Sequence, residues 1–111
     1  MADLRDQPGA QTNLVPVFQA LSDQTRLRIV QRLRSGERCV CVLQTSLGLA
    51  QPLLSHHLRV LREAGLVVGR REGRWVHYSL ATEMLEGVAG FLDAVRTDAA
   101  RALPQGGPCS P

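Results

Sequence analysis

The sequence has no lysine, no long apolar run and only three cysteines, and each of these absences excludes a class of protein. No apolar run approaches the roughly 18 residues that a membrane-spanning helix requires, so we do not expect an integral membrane protein. The first residues are polar and include Asp3 and Asp6, which is unlike a secretory signal peptide. At 111 residues the chain has room for one modest core. We therefore expect one cytoplasmic domain, and neither a secreted disulfide scaffold nor a large multidomain enzyme.

What the sequence has in abundance is arginine, which supplies all 13 basic residues. The arginines are concentrated in the middle of the chain: residues 14–65 hold seven arginines against three acidic residues, and residues 66–80 hold three against one. In the flanking segments, acidic residues outnumber arginines. A basic centre suits a polyanionic partner, and the planar guanidinium group can bind two phosphate oxygens at once. The charge pattern therefore favours nucleic-acid binding.

The spacing of apolar residues predicts five helices. They cover, within a few residues, the ranges 14–21, 23–34, 40–47, 51–64 and 82–103. In the second helix, Leu27, Val30 and Leu33 are predicted to face the core, and Ser22 or Asp23 is predicted to cap the helix. In the fourth helix, an apolar set at i, i+4 and i+7 is predicted to face the core, namely Leu54, Leu58 and Leu61. The apolar stripe of the last helix is wide, which predicts packing against a second copy of the chain.

After residue 65 the apolar period changes from 3.6 to 2, which predicts a β-hairpin. Its first strand begins at Leu66, its turn lies at Glu72-Gly73, and its return strand covers residues 75–80. Two short helices joined by a small-residue turn, followed by an arginine-tipped hairpin, are typical of a winged helix-turn-helix. The predicted fold class is therefore mainly α with a small β-hairpin (α+β), built from about five helices and a two-stranded wing. The domain spans residues 14–103, between a disordered polar head, residues 1–13, and a flexible Gly/Pro tail, residues 104–111.

In such a fold the fourth helix enters the DNA major groove, while the hairpin reaches the neighbouring backbone or the minor groove. The side chains predicted to reach base edges lie on the polar side of the fourth helix: Gln51, Ser55, His56 and Arg59. The side chains predicted to bind phosphate lie in the hairpin: Arg70, Arg71 and Arg74. The predicted partners are double-stranded operator DNA and a second copy of the chain. No membrane, no small-molecule substrate and no catalytic residue is predicted.

Four motifs carry a resemblance to a known family. They are Phe18-Gln-Ala-Leu-Ser-Asp-Gln-Thr-Arg-Leu-Arg-Ile-Val30, Glu37-Arg-Cys-Val-Cys41, Gln51-Pro-Leu-Leu-Ser-His-His-Leu58 and Arg71-Glu-Gly-Arg-Trp-Val-His-Tyr-Ser-Leu80. In this order and spacing, over about residues 14–103, they resemble the ArsR/SmtB metalloregulatory repressors. The resemblance implies a homodimeric repressor that leaves its operator when a toxic metal or metalloid binds. It also implies that His57, which falls in the family's Ser-x-His-Leu pattern, supports the fourth helix or contacts phosphate.

The Cys39-Val40-Cys41 segment matches a cysteine box of that family. In its arsenical branch the box reads Glu-x-Cys-Val-Cys-Asp-Leu and holds trivalent arsenic or antimony; here Val42 replaces the aspartate, and Gln44 stands where some members have a third cysteine. The one remaining cysteine, Cys109 in the tail, is therefore the candidate for a third thiolate ligand. Soft thiolates select soft ions, in keeping with As(III) or Sb(III) as the predicted inducer, and no cofactor is expected to be required for DNA binding.

The position of Cys39 and Cys41 at the start of the third helix also predicts a mechanism. Residues two apart on a regular α-helix point about 200° apart, so both sulfurs cannot bind one ion from such a helix. Ion binding is therefore expected to distort the helix start and, because the next helix reads DNA, to weaken DNA binding. The family's zinc-type site between the terminal helices is not expected, because the last helix contains no histidine.

Two other functions remain open on the sequence alone. In the first, the protein still represses transcription, but its cysteines sense redox or sulfur species by forming a disulfide or polysulfide. In the second, the chain is a small thiol enzyme or metallochaperone that uses the Cys-x-Cys pair. The sequence shows no cysteine, histidine and aspartate cluster with catalytic spacing, so we predict the metalloid-responsive repressor.

Overall fold

Five helices and three strands make up residues 14–104, the part of the chain that the computed structural model describes. The helices are α1 (Leu14–Leu21), α2 (Gln24–Arg32), α3 (Val40–Leu47), α4 (Gln51–Glu63) and α5 (Thr82–Arg101). The strands are β1 (Arg38–Cys39), β2 (Val67–Glu72) and β3 (Trp75–Leu80), and a single 3₁₀ turn, Leu33–Ser35, follows α2. This is the predicted winged helix-turn-helix class, with one strand more than predicted. The predicted head, residues 1–13, and residues 105–111 of the predicted tail, with Cys109, lie outside the described residues.

The core forms where the apolar sides of α1 to α4 meet the sheet. The predicted inner residues of α4 are almost fully buried, with Leu54 and Leu61 at 0% and Leu58 at 2% exposure. They pack in one cluster with apolar residues of the other elements, among them Leu14, Val17, Leu43, Leu47, Leu66, Val67 and Tyr78. Burying one such leucine stabilises the fold by about 1.5–3 kcal/mol, so this cluster fixes where α4 lies.

Helix α2 begins as predicted, and its predicted inner side is correct at two of three positions. The Asp23 carboxylate accepts a hydrogen bond from the backbone N–H of Arg26 at 3.1 Å and so caps the helix. Leu33, just after the helix, is 1% exposed and Val30 packs against the core, as predicted, whereas Leu27 is 45% exposed. The place predicted for Leu27 is taken by the fully buried Ile29, because Ile29 and Leu33 at i, i+4 fit the helical period as well as Leu27 and Val30 do.

The helix-turn-helix unit consists of α3, a short turn and α4. Helix α3 ends at Gly48, whose φ of 66° lies in the left-handed region that glycine adopts without strain. The N–H of Gly48 donates to the carbonyl of Gln44 at 2.9 Å, which closes the end of the helix. Helix α4 then starts at Gln51, with Pro52 in its first turn, where a missing N–H costs nothing.

The sheet has the strand order β1-β3-β2, and all its pairs are antiparallel. Strands β2 and β3 form the predicted hairpin, called the wing below, paired from Val67 opposite Leu80 to Glu72 opposite Trp75. Gly73 forms its tight turn with a φ of 63°. Strand β1 pairs Cys39 with His77 and was not predicted, because two residues are too few to show a period of two.

Helix α5 contacts the rest of the described chain mainly through its first half. Val88 is its one buried residue in the described structure, and Met84 and Leu85 pack against the core more loosely. Further along, Phe91 packs against Phe18 of α1, with 6.3 Å between ring centroids. No helix in residues 14–104 combines the length and apolarity needed to cross a membrane.

Candidate thiol site and nucleic-acid interface

The sulfur atoms of Cys39 and Cys41 lie 2.8 Å apart and form what we call the thiol pair. Cys39 has an extended backbone, with φ −68° and ψ 145°, and is the residue that precedes α3, whereas Cys41 lies in its first turn. The sulfurs converge because only one of them is on the helix. The premise that both sulfurs project from a regular helix is therefore wrong: Cys39 belongs to β1, so no regular helix separates the two side chains. The expected distortion of the helix start on ion binding stays a prediction.

The pKa values of the two thiols are shifted in opposite directions. The pKa of Cys39 is lowered by a hydrogen bond from the Cys41 thiol and by the backbone N–H groups of Cys41 and Val42 at the start of α3. The pKa of Cys41 is raised, because its proton is shared with Cys39, its surroundings are partly desolvated, and a second negative charge would repel the first. The pair therefore loses its first proton more readily than an isolated thiol does, and its second less readily.

The thiol pair is the part of the predicted ligand set that the structure describes. Among residues 14–104, no three histidine, cysteine or acidic side chains come close enough together to hold a metal ion. Cys109, the predicted third ligand, lies outside this range. Within the described chain, the site offers an incoming ion two sulfur atoms.

The predicted base-reading side chains all lie on the exposed side of α4. Gln51, Ser55, His56 and Arg59 are exposed and follow one another along the first turns of the helix, and together we call them the reading face. They are exposed because Leu54, Leu58 and Leu61 hold the opposite side in the core.

His57 lies on the buried side of α4 and is 8% exposed. Its Nδ1 accepts a hydrogen bond from the Arg26 guanidinium at 3.1 Å, and Arg26 also donates to the carbonyl of Ala20 at 2.6 Å. Burial lowers the pKa of His57, and the charge of Arg26 adds to this effect, while Asp23 at 3.9 Å opposes it. The side chain therefore ties α4 to α1 and α2, and of its two predicted roles, support of the helix fits this position.

The three predicted phosphate-binding arginines of the wing differ in their surroundings. Arg71 and Arg74 are exposed, near the turn. Arg70 forms a bidentate ion pair with Glu37, with Nε to Oε2 at 3.0 Å and Nη2 to Oε1 at 2.7 Å, and it also approaches Glu72. The hydrogen bonds from Arg70 lower the pKa of Glu37, and the carboxylate in turn raises the pKa of Arg70. Arg70 thus fastens the wing to the segment that leads into Cys39.

A groove of about 520 Å³ joins the thiol pair to the reading face. Its walls are the start of α3, one side of α4 and the base of the wing, and they include Cys39, Cys41, Gln51, Ser55, Arg59, Arg74 and Trp75. No acidic side chain of the described residues lines it. An ion held by the two sulfurs would therefore lie in a groove that residues of the reading face also line.

Sequence reasoning missed three supporting residues of this site. Glu37 was part of the recognised cysteine box, but its pairing with Arg70 joins residues distant in sequence and has no local signal. Arg62, for which the sequence predicted no role, donates to the hydroxyl of Tyr78 at 2.9 Å and joins α4 to the wing. Trp75 is 52% exposed and lines the groove, and the pattern of the wing gave no sign that it lies near the thiol pair.

Comparison with known proteins gives one consistent family. Residues 23–68 match the model of the bacterial regulatory protein, arsR family. The chain is 45% identical over 80 residues to the arsenical resistance operon repressor of Escherichia coli, a match that covers 71% of this chain and 68% of the relative. It is 46% identical over 80 residues to the arsenic resistance transcriptional regulator ArsR1 of Pseudomonas putida, covering 71% of this chain and 62% of the relative.

Solved structures of similar fold are also regulators. An ArsR-like transcriptional regulator from Rhodococcus superposes with a TM-score of 0.73 at 30% identity, covering 84% of this chain and 88% of the other. The homodimeric winged helix-turn-helix DNA-binding domain of a possible ArsR-family regulator from Mycobacterium bovis superposes with a TM-score of 0.66 at 29% identity, covering 96% of this chain and all of that domain. These relatives and neighbours are regulators of transcription and not enzymes, in agreement with the non-enzymatic prediction. The chain therefore belongs to the ArsR family of bacterial regulatory proteins.

Proposed function

We propose that this protein is a repressor that binds operator DNA as a homodimer and leaves it when trivalent arsenic or antimony binds Cys39 and Cys41. The observation that carries the proposal is the groove that the thiol pair shares with the reading face of α4. Occupation of one end of this groove changes the charge and the free space at the other end. Release then requires no unwinding of α3.

The chemistry of the thiol pair supports a soft ion as the inducer. Two sulfurs in a groove whose described walls carry no carboxylate or imidazole select thiophilic ions over hard cations. The acidic Cys39 provides a thiolate for the first bond, and the ion's positive centre then favours ionisation of Cys41. Two relatives carry arsenic or arsenical resistance in their names, which points the choice of ion in the same direction. Cys109 remains the predicted third ligand.

On the DNA side, we assign base reading to the reading face and phosphate contact to Arg71 and Arg74. Arg70 and His57, which were also predicted to contact DNA, are given positioning roles because each is already engaged within the protein. Exposed arginines near a helix that enters the major groove supply the salt-dependent part of the affinity.

The dimer is proposed to form through α1 and α5. On α5, Phe91, Leu92 and Val95 are 37%, 50% and 51% exposed, and Val15 and Phe18 of α1 are also exposed. A row of large apolar side chains on one helix is costly in water, and a two-fold mate would cover the same row on both chains. Two copies of α4 would then read a roughly palindromic site.

The test is a DNA-binding titration with and without arsenite or antimonite. A duplex selected by the protein from a random pool serves as the operator, and affinity is followed by fluorescence anisotropy. We expect either ion to weaken binding of the parent chain, while the double variant Cys39→Ser/Cys41→Ser binds the same duplex and ignores the ion. Cys109→Ser is the matched single-thiol control, and a rise in the ion concentration needed for release would assign Cys109 as a ligand. Release of the double variant at the parent's ion concentration would refute the proposal.

The contact between the two sulfurs also favours the redox-sensing alternative, because an acidic thiol next to a second thiol is readily oxidised. Mass spectrometry after peroxide or sulfide treatment separates the two functions. Loss of DNA binding together with a loss of two mass units, or with added sulfur, supports redox sensing. Loss of DNA binding only with a bound ion supports the proposed function.

A further inference from the structure

The groove presents a cationic wall next to a pair of sulfurs. Arg59 and Arg62 of α4 and Arg74 of the wing line it together with the thiol pair, and the uncharged polar side chains at its walls include Gln44, Gln51, Ser55 and Tyr78. Arg62 uses one of its N–H groups on the Tyr78 hydroxyl, and its guanidinium carries further donors. With no acidic side chain at its described walls, the groove favours a small anion.

The thiol pair supplies two sulfurs to an ion, and a third coordination position is open to Cys109 or to a thiol from outside the chain. Trivalent arsenic and antimony keep a lone pair and favour three ligands in a pyramid, and the described residues provide two sulfurs. The groove volume of about 520 Å³ exceeds the space that one ion needs and falls in the range of sites for small organic molecules. A molecule with fewer than about ten non-hydrogen atoms would fit beside the ion.

We propose that the groove binds a small anionic thiol, whose sulfur takes the place of Cys109 as the third ligand of the ion on Cys39 and Cys41 and whose carboxylate pairs with Arg59 and Arg74. This inference rests on the proposed function, because it requires an ion at the thiol pair. The carboxylate of the thiol is the anion that the cationic wall would bind.

The assembly is a ligand exchange without oxidation or reduction. Arsenous acid carries three hydroxyl groups, and three thiols, two of the protein and one free, replace them. Three As–O bonds and three S–H bonds break, three As–S bonds form, and the three hydroxyl groups leave as water with the three thiol protons. Arsenic stays trivalent throughout.

The bound thiol would also affect DNA release. Its carboxylate would neutralise Arg59 and Arg74, which are the cations proposed for base reading and phosphate contact. Since neutralised arginines no longer attract the DNA backbone, the complex with ion and anionic thiol should release DNA more completely than the complex with the ion alone.

The experiment uses the full-length Cys109→Ser variant, so that a free thiol is the available third sulfur. The chain is loaded with one equivalent of arsenite and titrated with 3-mercaptopropionate or with its neutral isostere 3-mercaptopropanamide. Trp75, the single tryptophan, lines the groove and reports binding through its fluorescence. Native mass spectrometry then shows whether the chain, the arsenic and the thiol form one complex. We expect the carboxylate thiol to bind about fivefold more tightly than the amide, in line with exposed ion pairs of modest strength.

The control is the same titration with Arg59→Gln/Arg74→Gln added, in which the preference for the carboxylate should fall to about one. The inference would be overturned if the two thiols bound equally well to the Cys109→Ser chain with both arginines present, or if the added thiol removed arsenic from the chain. Either result would leave the proposed function standing. Failure of arsenite to load onto the parent chain, which keeps all three cysteines, would refute the proposed function instead, so the two failures are distinguishable.

Discussion

At the scale of single residues, charged side chains of this protein hold the wing and the reading helix in place. Arg70 is paired with Glu37 in front of β1 and approaches Glu72 on its own strand. His77 on β3 approaches the same Glu72 at 3.4 Å. This network joins β2 and β3 to Glu37, two residues before Cys39, so the position of the thiol pair relative to the wing depends on it.

The first prediction concerns Glu37→Gln. The variant keeps the size of the side chain but loses the carboxylate that Arg70 binds with two hydrogen bonds. Because the pKa of Glu37 is lowered in the folded state, the carboxylate stabilises the fold above its unfolded pKa of about 4.3, and this contribution is lost as the pH falls through the lower native pKa. We expect the variant to melt below the parent at pH 7 and the difference to shrink at acid pH and in high salt.

The matched control for this prediction is Glu63→Gln, an exposed glutamate at the end of α4. Thermal melts of the three proteins, recorded by circular dichroism at two pH values and two salt concentrations, provide the comparison. If Glu37→Gln and Glu63→Gln shift the melting temperature equally at pH 7, the pair with Arg70 has no special role in stability.

The second prediction concerns His57, whose pKa is lowered by burial. The unfolded chain takes up a proton near pH 6.5, while the folded chain resists until a lower pH, so the free energy of unfolding should fall as the pH drops through this interval. Urea denaturation between pH 7.5 and pH 5 measures the slope. His57→Gln, which stays neutral and can accept the Arg26 hydrogen bond, should flatten it, whereas His56→Gln on the exposed side should not. A slope that survives unchanged in His57→Gln would assign it to other groups.

At the scale of elements, helix α4 has two sides that serve different purposes. The side facing the core holds Leu54, Leu58 and Leu61, while the reading face lies towards the groove. The core side fixes the direction and the rotation of the helix. It thereby determines the direction in which the reading face points. Mutations on the two sides should therefore separate stability from DNA binding.

The third prediction tests this separation with neighbouring leucines. Leu54 is fully buried and Leu53 is 46% exposed. Leu54→Ala should lower the free energy of unfolding by about 2–5 kcal/mol, because it removes buried methyl groups and leaves a cavity. Leu53→Ala should change it by less than about 0.5 kcal/mol. Urea denaturation followed by circular dichroism measures both, and similar losses for the two variants would contradict the position of α4.

The elements differ in how far the sequence predicts them. Helix α4 and the wing are predictable because each repeats its own period over several residues, as the spacing of Leu54, Leu58 and Leu61 shows. Strand β1 is not, since its two residues become a strand only by pairing with His77 and Tyr78. For the same reason the angle between Cys39 and Cys41 was predicted wrongly: both residue identities are in the sequence, but the point where strand gives way to helix depends on a partner distant in sequence.

At the scale of the whole molecule, the arginines of the groove and the apolar row of α5 lie on different elements. The groove and the wing carry arginines, whereas α5 carries an apolar row with one buried residue in the described chain. A regulator that reads a palindromic site needs this division, because the surface that joins two copies must leave both reading faces free.

The fourth prediction tests the dimer through Leu92→Glu. Leu92 is half-exposed in the single chain, and a two-fold contact along α5 would bury it twice, once in each copy. A buried glutamate without a partner is strongly unfavourable, so the variant should sediment as a monomer at concentrations where the parent is a dimer. Since one reading helix contacts only half of a palindromic site, its affinity for the operator should fall about 100-fold or more, an extent typical of losing one of two linked contacts. Thr97→Glu, on the opposite side of α5 by the helical period, should preserve both dimer and affinity, and a dimeric Leu92→Glu protein with full operator affinity would show that α5 does not join the two copies.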